Sequence, residues 1–217
     1  MELIMFFNRK CPICKNSSVI EFLEADNRKY FLCKNCEFIF VPKEFWLSKA
    51  EEKLRYEQHN NDSKDKGYIT FLSQITLPIK KFIKEGSHGI DYGCGPNSVL
   101  SEILTKSKMH MTQYDPFFYP KFPNHKFDFL LSTETFEHFQ NPIEEIRNIS
   151  SIVHSQGVIG VMTAFWQEDI FIKNWHYRRD QTHISFYTFR TFEYIADIFQ
   201  FKILYTDKNR IIIFQKK

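Results

Sequence analysis

The chain has 217 residues, 43% of them hydrophobic, enough for one domain with a small appendage or two domains at most, and this excludes wholesale disorder. Its 29 basic and 26 acidic residues leave a net charge of +3, too weak an excess to mark a nucleic-acid or membrane-binding surface. The opening MELIMFF carries an acid at position 2 and is too short for a signal core, and no apolar run approaches the roughly 20 residues that cross a bilayer, so a cytoplasmic protein without membrane partners is expected.

The first element is set by cysteines. CPIC at 11–14 and CKNC at 33–36 make C-x2-C-x18-C-x2-C, which in a reducing compartment reads as a zinc site rather than a disulfide framework. Each pair presents two thiolates about 4 Å apart, and two pairs close a tetrahedron with Zn–S near ~2.3 Å. Cys11, Cys14, Cys33 and Cys36 are therefore the expected ligands of a structural zinc with no open position. The ion would let residues 1–42 fold as a zinc ribbon, with YFLC and FIFV as its short strands. Arg9, Lys10, Lys15, Arg28, Lys29 and Lys34 are nearly balanced by Glu2, Glu21, Glu24, Asp26 and Glu37, which gives little support to docking on nucleic acid. A polar connector, 43–67, follows and reads as part helix and part loop.

From 68 to 217 strands and helices alternate, the signature of an α/β fold with a doubly wound, mostly parallel sheet. A helix is expected over 68–86, kinked at Pro78 and ended by Gly86. HGIDYG reads as a strand, SVLSEILTKS as a helix with Val99, Leu100, Ile103 and Leu104 on one face, and MHMTQYD as a second strand. Only PFFYPKFPNHK separates it from the buried strand KFDFLLST, so the third α/β unit is shortened. NPIEEIRNISSIV is a helix with Asn141 as N-cap and Pro142 at N1, stopped by Gly157. After a further strand, GVIGVMTAF, and a capped helix, TFRTFEYIADIF, the segments KILYT and RIIIFQ read as a C-terminal β-hairpin.

The strand IDYGCGPN runs through Gly93 and Gly95 into a helix, and an acid, Asp115, ends the next strand 20 residues after Gly95. The glycines permit a tight turn and a close ligand, and a carboxylate at that strand end can accept both ribose hydroxyls. The loop G-C-G-P-N has bulk where a dinucleotide's diphosphate would sit, which favours a ligand without phosphates.

DYGCGPN, QYDPFF, FDFLLSTETFEHFQNP and the terminal hairpin together resemble the class I S-adenosylmethionine-dependent methyltransferases, over roughly residues 56–217. RYEQHNNDSKDKGY and WHYRRDQTHISFY are similar to segments of a bacterial subgroup that carries an N-terminal zinc ribbon. The resemblance implies a Rossmann-like methyltransferase fold and S-adenosylmethionine as cofactor. It puts Asp91, Gly93, Cys94 and Gly95 at the methionine half, Asp115 at the ribose, and Pro116 and Phe117 at the adenine, with Thr133 and Tyr68 as further cofactor-side residues. Cys94 is expected to be a small loop residue rather than a nucleophile. The position after GCGP, usually glycine in that family, is Asn97, which tolerates left-handed backbone, so the loop is expected to keep its geometry there.

The strand exit STETFEHF gathers Glu134, Glu137 and His138. One reading is a common strand exit whose glutamate and histidine bond the local backbone. The other adds His183, which precedes F-x-x-x-x-F, and resembles metal-dependent small-RNA 2′-O-methyltransferases and the ubiquinone-pathway O-methyltransferases. Glu134, Glu137, His138 and His183 would then form a catalytic set around a divalent ion, Mg²⁺ or Mn²⁺ among the choices, that lowers the pKa of a substrate hydroxyl. Without metal, His183 or His59 is the candidate general base. Arg178 and Arg179 are candidates to hold an anionic substrate group, Tyr56 lies in a connector expected to fold over the cofactor, and FWQEDIFIKNWHY reads as a pocket wall or a lid. The expected activity is methylation, at oxygen first, of a small molecule. The alternatives are an RNA methyltransferase that docks through the ribbon, and an inactive cofactor-binding scaffold.

Overall fold

The structure is a computed structural model that describes residues 9–58, 64–172 and 175–217. Near the N-terminus, β1 (Val19–Ala25) and β2 (Arg28–Cys33) form an antiparallel hairpin, and β3 (Ile39–Phe40) pairs with β2. The hairpin turns at Asp26 and Asn27, both with positive φ (54° and 58°), the two-residue geometry that matches strand twist. The fourth strand of this sheet comes from far along the chain. It is β8 (Ser185–Phe186), antiparallel to β3, with Ile39 opposite Phe186 and Phe40 opposite Ser185.

The two cysteine pairs share one backbone conformation. Lys15 N–H donates to Cys11 O (3.0 Å) and Glu37 N–H to Cys33 O (2.9 Å), and the residue after each pair is left-handed, at φ 57° and 56°. The sulfurs of Cys11 and Cys36 lie 3.6 Å apart and those of Cys14 and Cys33 3.4 Å, and all four fall within 4.8 Å of one another. A tetrahedron with Zn–S near ~2.3 Å has an edge of about 3.8 Å, so the four cysteines fit a zinc ribbon.

A helix, α1 (Lys49–Glu57), follows, opened by a capping box between Ser48 and Glu51. Next comes α2 (Lys66–Ile79), capped by the Asp65 carboxylate. The long helix expected over 68–86 is thus shorter: it stops one residue after Pro78. Lys81 N–H and Phe82 N–H then donate to Pro78 O and Ile79 O in tighter i→i−3 turns.

The remaining elements are β4 (His88–Tyr92), α3 (Val99–Lys106), β5 (His110–Tyr114), β6 (Phe127–Thr133), α4 (Pro142–Ser151), β7 (Val153–Met162), α5 (Glu168–Ile172), α6 (His176–Arg179), α7 (Phe189–Phe199), β9 (Phe201–Thr206) and β10 (Ile211–Lys216). The large sheet has the order β5-β4-β6-β7-β10-β9. Its first four strands are parallel, and the C-terminal hairpin is added antiparallel to β7. No helix lies between β5 and β6, so the third unit is shortened as expected.

Alternation along the strands sends side chains to two cores. Ile211 and Ile213 join Leu72, Ile75, Val99, Leu100 and Leu104 of α2 and α3 on one face. Ile212 and Phe214 join Ile143, Ile146, Ile149, Phe192 and Ile195 of α4 and α7 on the other. The sheet is therefore doubly wound.

Two expectations about single residues are corrected. Gly157 does not stop α4, which ends at Ser151; it sits inside β7, where the register with β6 shifts between Phe127 and Phe129. A Cβ there would lie 2.9 Å from the carbonyl oxygens of Asp128 and His154, so the bulge excludes a side chain. Asn97 does not have positive φ; in the glycine loop left-handed backbone falls on Gly93 and Gly95, and past β6 it falls, unexpectedly, on Glu134 (φ 49°). Among the described residues no helix is long and apolar enough to cross a membrane.

Candidate active site

At the carboxyl ends of β4, β5 and β6 lies a cavity of about 970 Å³, near the upper end of ligand pockets (~300–1,000 Å³). The glycine loop forms one wall. After β4 the chain turns through Gly93 (φ 80°) and Gly95 (φ 65°) into α3, whose N-cap Ser98 accepts the Ser101 N–H at 3.2 Å. A Cβ at Gly93 would strike the Thr135 side chain at 2.3 Å, whereas one at Gly95 would meet nothing within 4 Å. Gly93 is thus required by packing, and Gly95 leaves open space for a ligand.

Two carboxylates frame this wall. Asp91 is 2% exposed; its Oδ2 accepts the Ser98 hydroxyl at 2.5 Å and its Oδ1 has no partner. Burial pushes its pKa up to about 7 against the Ser98 bond. Asp115 is fixed by backbone donors: Oδ1 accepts from Phe117 and Phe118 N–H (2.8 and 3.1 Å) and Oδ2 from Gly95 N–H (3.0 Å). Oδ2 keeps a second lone pair, whereas both of those on Oδ1 are used. Pro116, Phe117, Thr133 and Tyr68 also line the cavity. Cys94 lines it too, but burial raises its thiol pKa, which removes the thiolate a nucleophile needs.

A second wall carries the strand exit. Three of its four expected residues come together: ligand atoms of Glu137, His138 and His183 lie within 4.8 Å of one another. Glu134 stands outside this group among the described residues. It lines the cavity with a buried, unpartnered Oε1, and burial together with Glu137 raises its carboxyl well above the ordinary range. Glu137 is fully buried. Its Oε2 accepts the Thr163 hydroxyl at 2.8 Å, and its Oε1 has no partner and lies 4.0 Å from His138 Nε2.

Both imidazoles are fixed from behind. His138 Nδ1 donates to Thr182 O (3.0 Å) and His183 Nδ1 to Tyr177 O (2.7 Å), because a carbonyl can only accept. In a neutral ring Nε2 then carries the lone pair, and the rings meet edge to face at 4.8 Å. Burial and the neighbouring His138 push the His183 pKa well below its ordinary value, so it stays neutral.

Over the cavity lies α1. Tyr56 packs 5.6 Å from Phe117 and 5.1 Å from His138, and Arg55 pairs with Asp180 at 2.8 Å. His59 lies outside the described residues. Neither Arg178 nor Arg179 lines the cavity: Arg178 is buried and paired with Asp26 of the hairpin, against the expectation of a substrate clamp. In FWQEDIFIKNWHY, His176 and Tyr177 line the cavity, while Phe171 turns away and packs edge-on against Tyr30 at 5.4 Å. The residues that sequence reasoning missed are Ser98, Thr163, Tyr177 and Asp180. Only Ser98 had a visible signal, its place as N-cap directly after the glycine loop.

A family model described as a methyltransferase domain matches residues 62–206, more than half of the chain. No curated protein matches by sequence. Among solved structures, the Burkholderia thailandensis 1,6-didemethyltoxoflavin-N1-methyltransferase, bound to 1,6-didemethyltoxoflavin and S-adenosylhomocysteine, aligns with TM-score 0.55 at 10% identity over 85% of this chain and 97% of its own. The plantazolicin methyltransferase BpumL in complex with S-adenosylhomocysteine aligns with TM-score 0.53 at 15% identity over 78% of this chain and 90% of its own. An O-methyltransferase family protein from Burkholderia thailandensis aligns with TM-score 0.51 at 11% identity, over 76% of this chain and 63% of its own. With that match over a glycine loop and a strand-end acid of the expected form, the chain belongs to the methyltransferase domain family and is an S-adenosylmethionine-dependent enzyme of that family.

Proposed function

We propose that the enzyme moves the sulfonium methyl of S-adenosylmethionine to an oxygen of a small molecule, with Glu137, His138 and His183 handling the acceptor. One observation carries the reading: the fully buried Glu137 Oε1 has no partner and sits 4.0 Å from His138 Nε2, directly behind the cavity wall that His138 and His183 line. Such an orphan is costly unless a ligand completes it. One carboxylate and two neutral imidazoles fit a first-row divalent ion such as Mn²⁺ better than Mg²⁺, which prefers an all-oxygen shell. A bound ion would supply Lewis acidity and lower the pKa of a substrate hydroxyl.

The chain's own residues do the rest. Asp91 Oδ1 receives the methionine ammonium, the spare lone pair of Asp115 Oδ2 receives a ribose hydroxyl, and Pro116 and Phe117 flank the adenine. On the acceptor side, when no ion occupies the two imidazoles, an Nε2 of His183 or His138 takes the hydroxyl proton as the new O–CH3 bond forms and the S–CH3 bond breaks. That leaves adenosylhomocysteine, the methyl ether and a protonated imidazole. Buried surroundings that hold His183 neutral suit it to start as the base. The size of the cavity and the near-neutral charge favour a small acceptor over nucleic acid, in keeping with the 1,6-didemethyltoxoflavin held by one structural neighbour. In this reading residues 1–42 are the ribbon, 43–67 the covering segment and 68–217 the catalytic part.

The test is a calorimetric Mn²⁺ titration of zinc-loaded protein saturated with adenosylhomocysteine, followed by a turnover screen over vicinal diols, simple alcohols and amines. One Mn²⁺ site, lost in Glu137→Ala and in His183→Ala, with turnover on diols, is the expected result. Absence of a site together with Mn²⁺-independent turnover would sink the metal and leave His183 as base. Turnover confined to amines would sink the oxygen acceptor.

A further inference from the structure

Arg28 opens β2 in the ribbon, yet its guanidinium is spent on the loop that carries His183. The residue is 3% exposed. Nη1 donates to Gln181 O (3.0 Å), Nη2 to Asp180 O (2.8 Å) and to Arg178 O, and Nε to the Tyr30 hydroxyl (2.6 Å). Burying a cation is expensive, and here the return is three backbone carbonyls, one in α6 and two in the loop after it, held in a rigid planar fork.

That loop has no regular structure of its own between α6 and β8. The His183 N–H donates to Asp180 O (3.1 Å), the same oxygen that Arg28 grips, and His183 Nδ1 donates to Tyr177 O. On the other side of His183, Ile184 N–H donates to Glu137 O (2.8 Å) and Ile184 O accepts from Val41 N–H (2.9 Å) of the ribbon. The segment 178–186 is thus tied to the ribbon at both ends, by Arg28 at the front and by β3–β8 pairing at the back. On the same strand as Arg28, five residues on and about 17 Å away at ~3.3 Å per residue, stands Cys33 of the cysteine tetrad.

We infer that the ribbon braces a wall of the active site from behind, and that Arg28 is a positioning residue: it acts through the 178, 180 and 181 carbonyls to hold His183 against Glu137 and His138. The inference rests on the reading of His183 as part of the acceptor machinery. It gives the ribbon a role other than docking, since a face of β2 and β3 already covers this loop and Tyr30 is buried against Phe171 and Phe186.

The experiment compares zinc-loaded wild type with Arg28→Ala and Arg28→Lys by three measurements. These are amide hydrogen exchange, the proton NMR resonance of the His183 Nδ1–H (assigned by its loss in His183→Gln), and the calorimetric Kd of adenosylhomocysteine. In Arg28→Ala, exchange at His183 and Ile184 should rise at least tenfold and the imidazole resonance should broaden away. Exchange in β4 and α3 and the adenosylhomocysteine Kd should stay within twofold. Guanidinium at about 10 mM should restore the resonance, and ammonium should not. Arg28→Lys, with a single ammonium in place of the fork, should fall between the two; it also carries the test should Arg28→Ala not accumulate as folded protein. An unchanged resonance and unchanged loop exchange would overturn the inference, as would a uniform rise in exchange everywhere with no rescue by guanidinium. Failure of wild type to bind adenosylhomocysteine would instead strike the cofactor-site reading and leave the loop measurements intact.

Discussion

The two walls of the cavity are built in opposite ways. The wall proposed for the cofactor is local: Asp91, Gly93, Gly95, Ser98 and Asp115 lie within 25 positions, and its bonds run from Ser98 to Asp91 and from Gly95 to Asp115. The wall proposed for the acceptor is assembled from Glu137, Thr163, Tyr177 and His183, and its loop is held by Arg28, more than a hundred positions upstream. A local wall survives damage elsewhere in the fold, whereas an assembled one fails wherever any of its supports fails.

The sharpest way to break the comparison is to remove the zinc. Structural zinc is worth on the order of 10–16 kcal/mol of apparent binding energy in small modules, which becomes folding energy for the ribbon. Stripping it with a strong chelator, or Cys33→Ser, should unfold β1–β3, free the 178–186 segment and cut turnover by more than about 100-fold. Adenosylhomocysteine should still bind within roughly tenfold of wild type. Calorimetry and exchange on the same sample would check this. Cofactor binding lost in parallel with turnover would mean that the two walls are not separable.

Next in size is Glu137→Ala. It removes the orphan oxygen and leaves the Thr163 and Tyr177 hydroxyls, 3.0 Å apart, without their shared acid. Turnover should fall by about 100- to 10,000-fold, the span of acid–base and positioning roles, with melting lowered by the equivalent of about 1–3 kcal/mol. The Kd of adenosylhomocysteine should hold. Asp115→Ala is the reciprocal cut: it loses three backbone hydrogen bonds and the ribose acceptor, and cofactor affinity should fall about 10- to 100-fold. A Mn²⁺ site on the acceptor wall, measured without cofactor, should be indifferent to that change.

The same contrast explains what could be read in advance. Glycines flanked by strand and helix, with an acid ending the next strand, mark the cofactor wall in one stretch of sequence. The missing third helix was legible because only 11 residues, PFFYPKFPNHK, separate two strong strand patterns. The cysteine spacing marked the ribbon. Nothing local announces β8, since a two-residue strand is recognisable only by its partner β3. Nor could Arg28 be told from its balanced neighbours, because its partners are backbone carbonyls, which carry no signature in sequence. Arg178 misled for a different reason: the acid it pairs with is Asp26, in the distant hairpin turn, rather than the nearby Asp180. Glu134 could be named as facing the cleft, but its left-handed backbone, which accompanies its separation from the Glu137 group, is a tertiary outcome.

The smallest expected effect probes the cofactor wall alone. Burial pushes the Asp91 carboxyl from 3.8 up to about 7, so the folded protein binds this proton more tightly than the unfolded chain does. The stability it contributes is therefore fully present below about pH 4 and is lost as pH rises through about 7. Asp91→Asn, which cannot ionise, should flatten that part of the melting profile. The ligand has the opposite preference: the methionine ammonium and the sulfonium favour the ionised carboxylate. Cofactor affinity should then climb about tenfold between pH 6 and pH 8. Binding near pH 6.5 should release a proton, seen as a calorimetric enthalpy that varies with the ionisation enthalpy of the buffer. Because Asp91 belongs to the local wall, the profile should persist in Arg28→Ala and in zinc-stripped protein. If the release vanished with the zinc, the ribbon would be supporting β4 as well as the His183 loop, and the division between a local wall and an assembled one would be wrong.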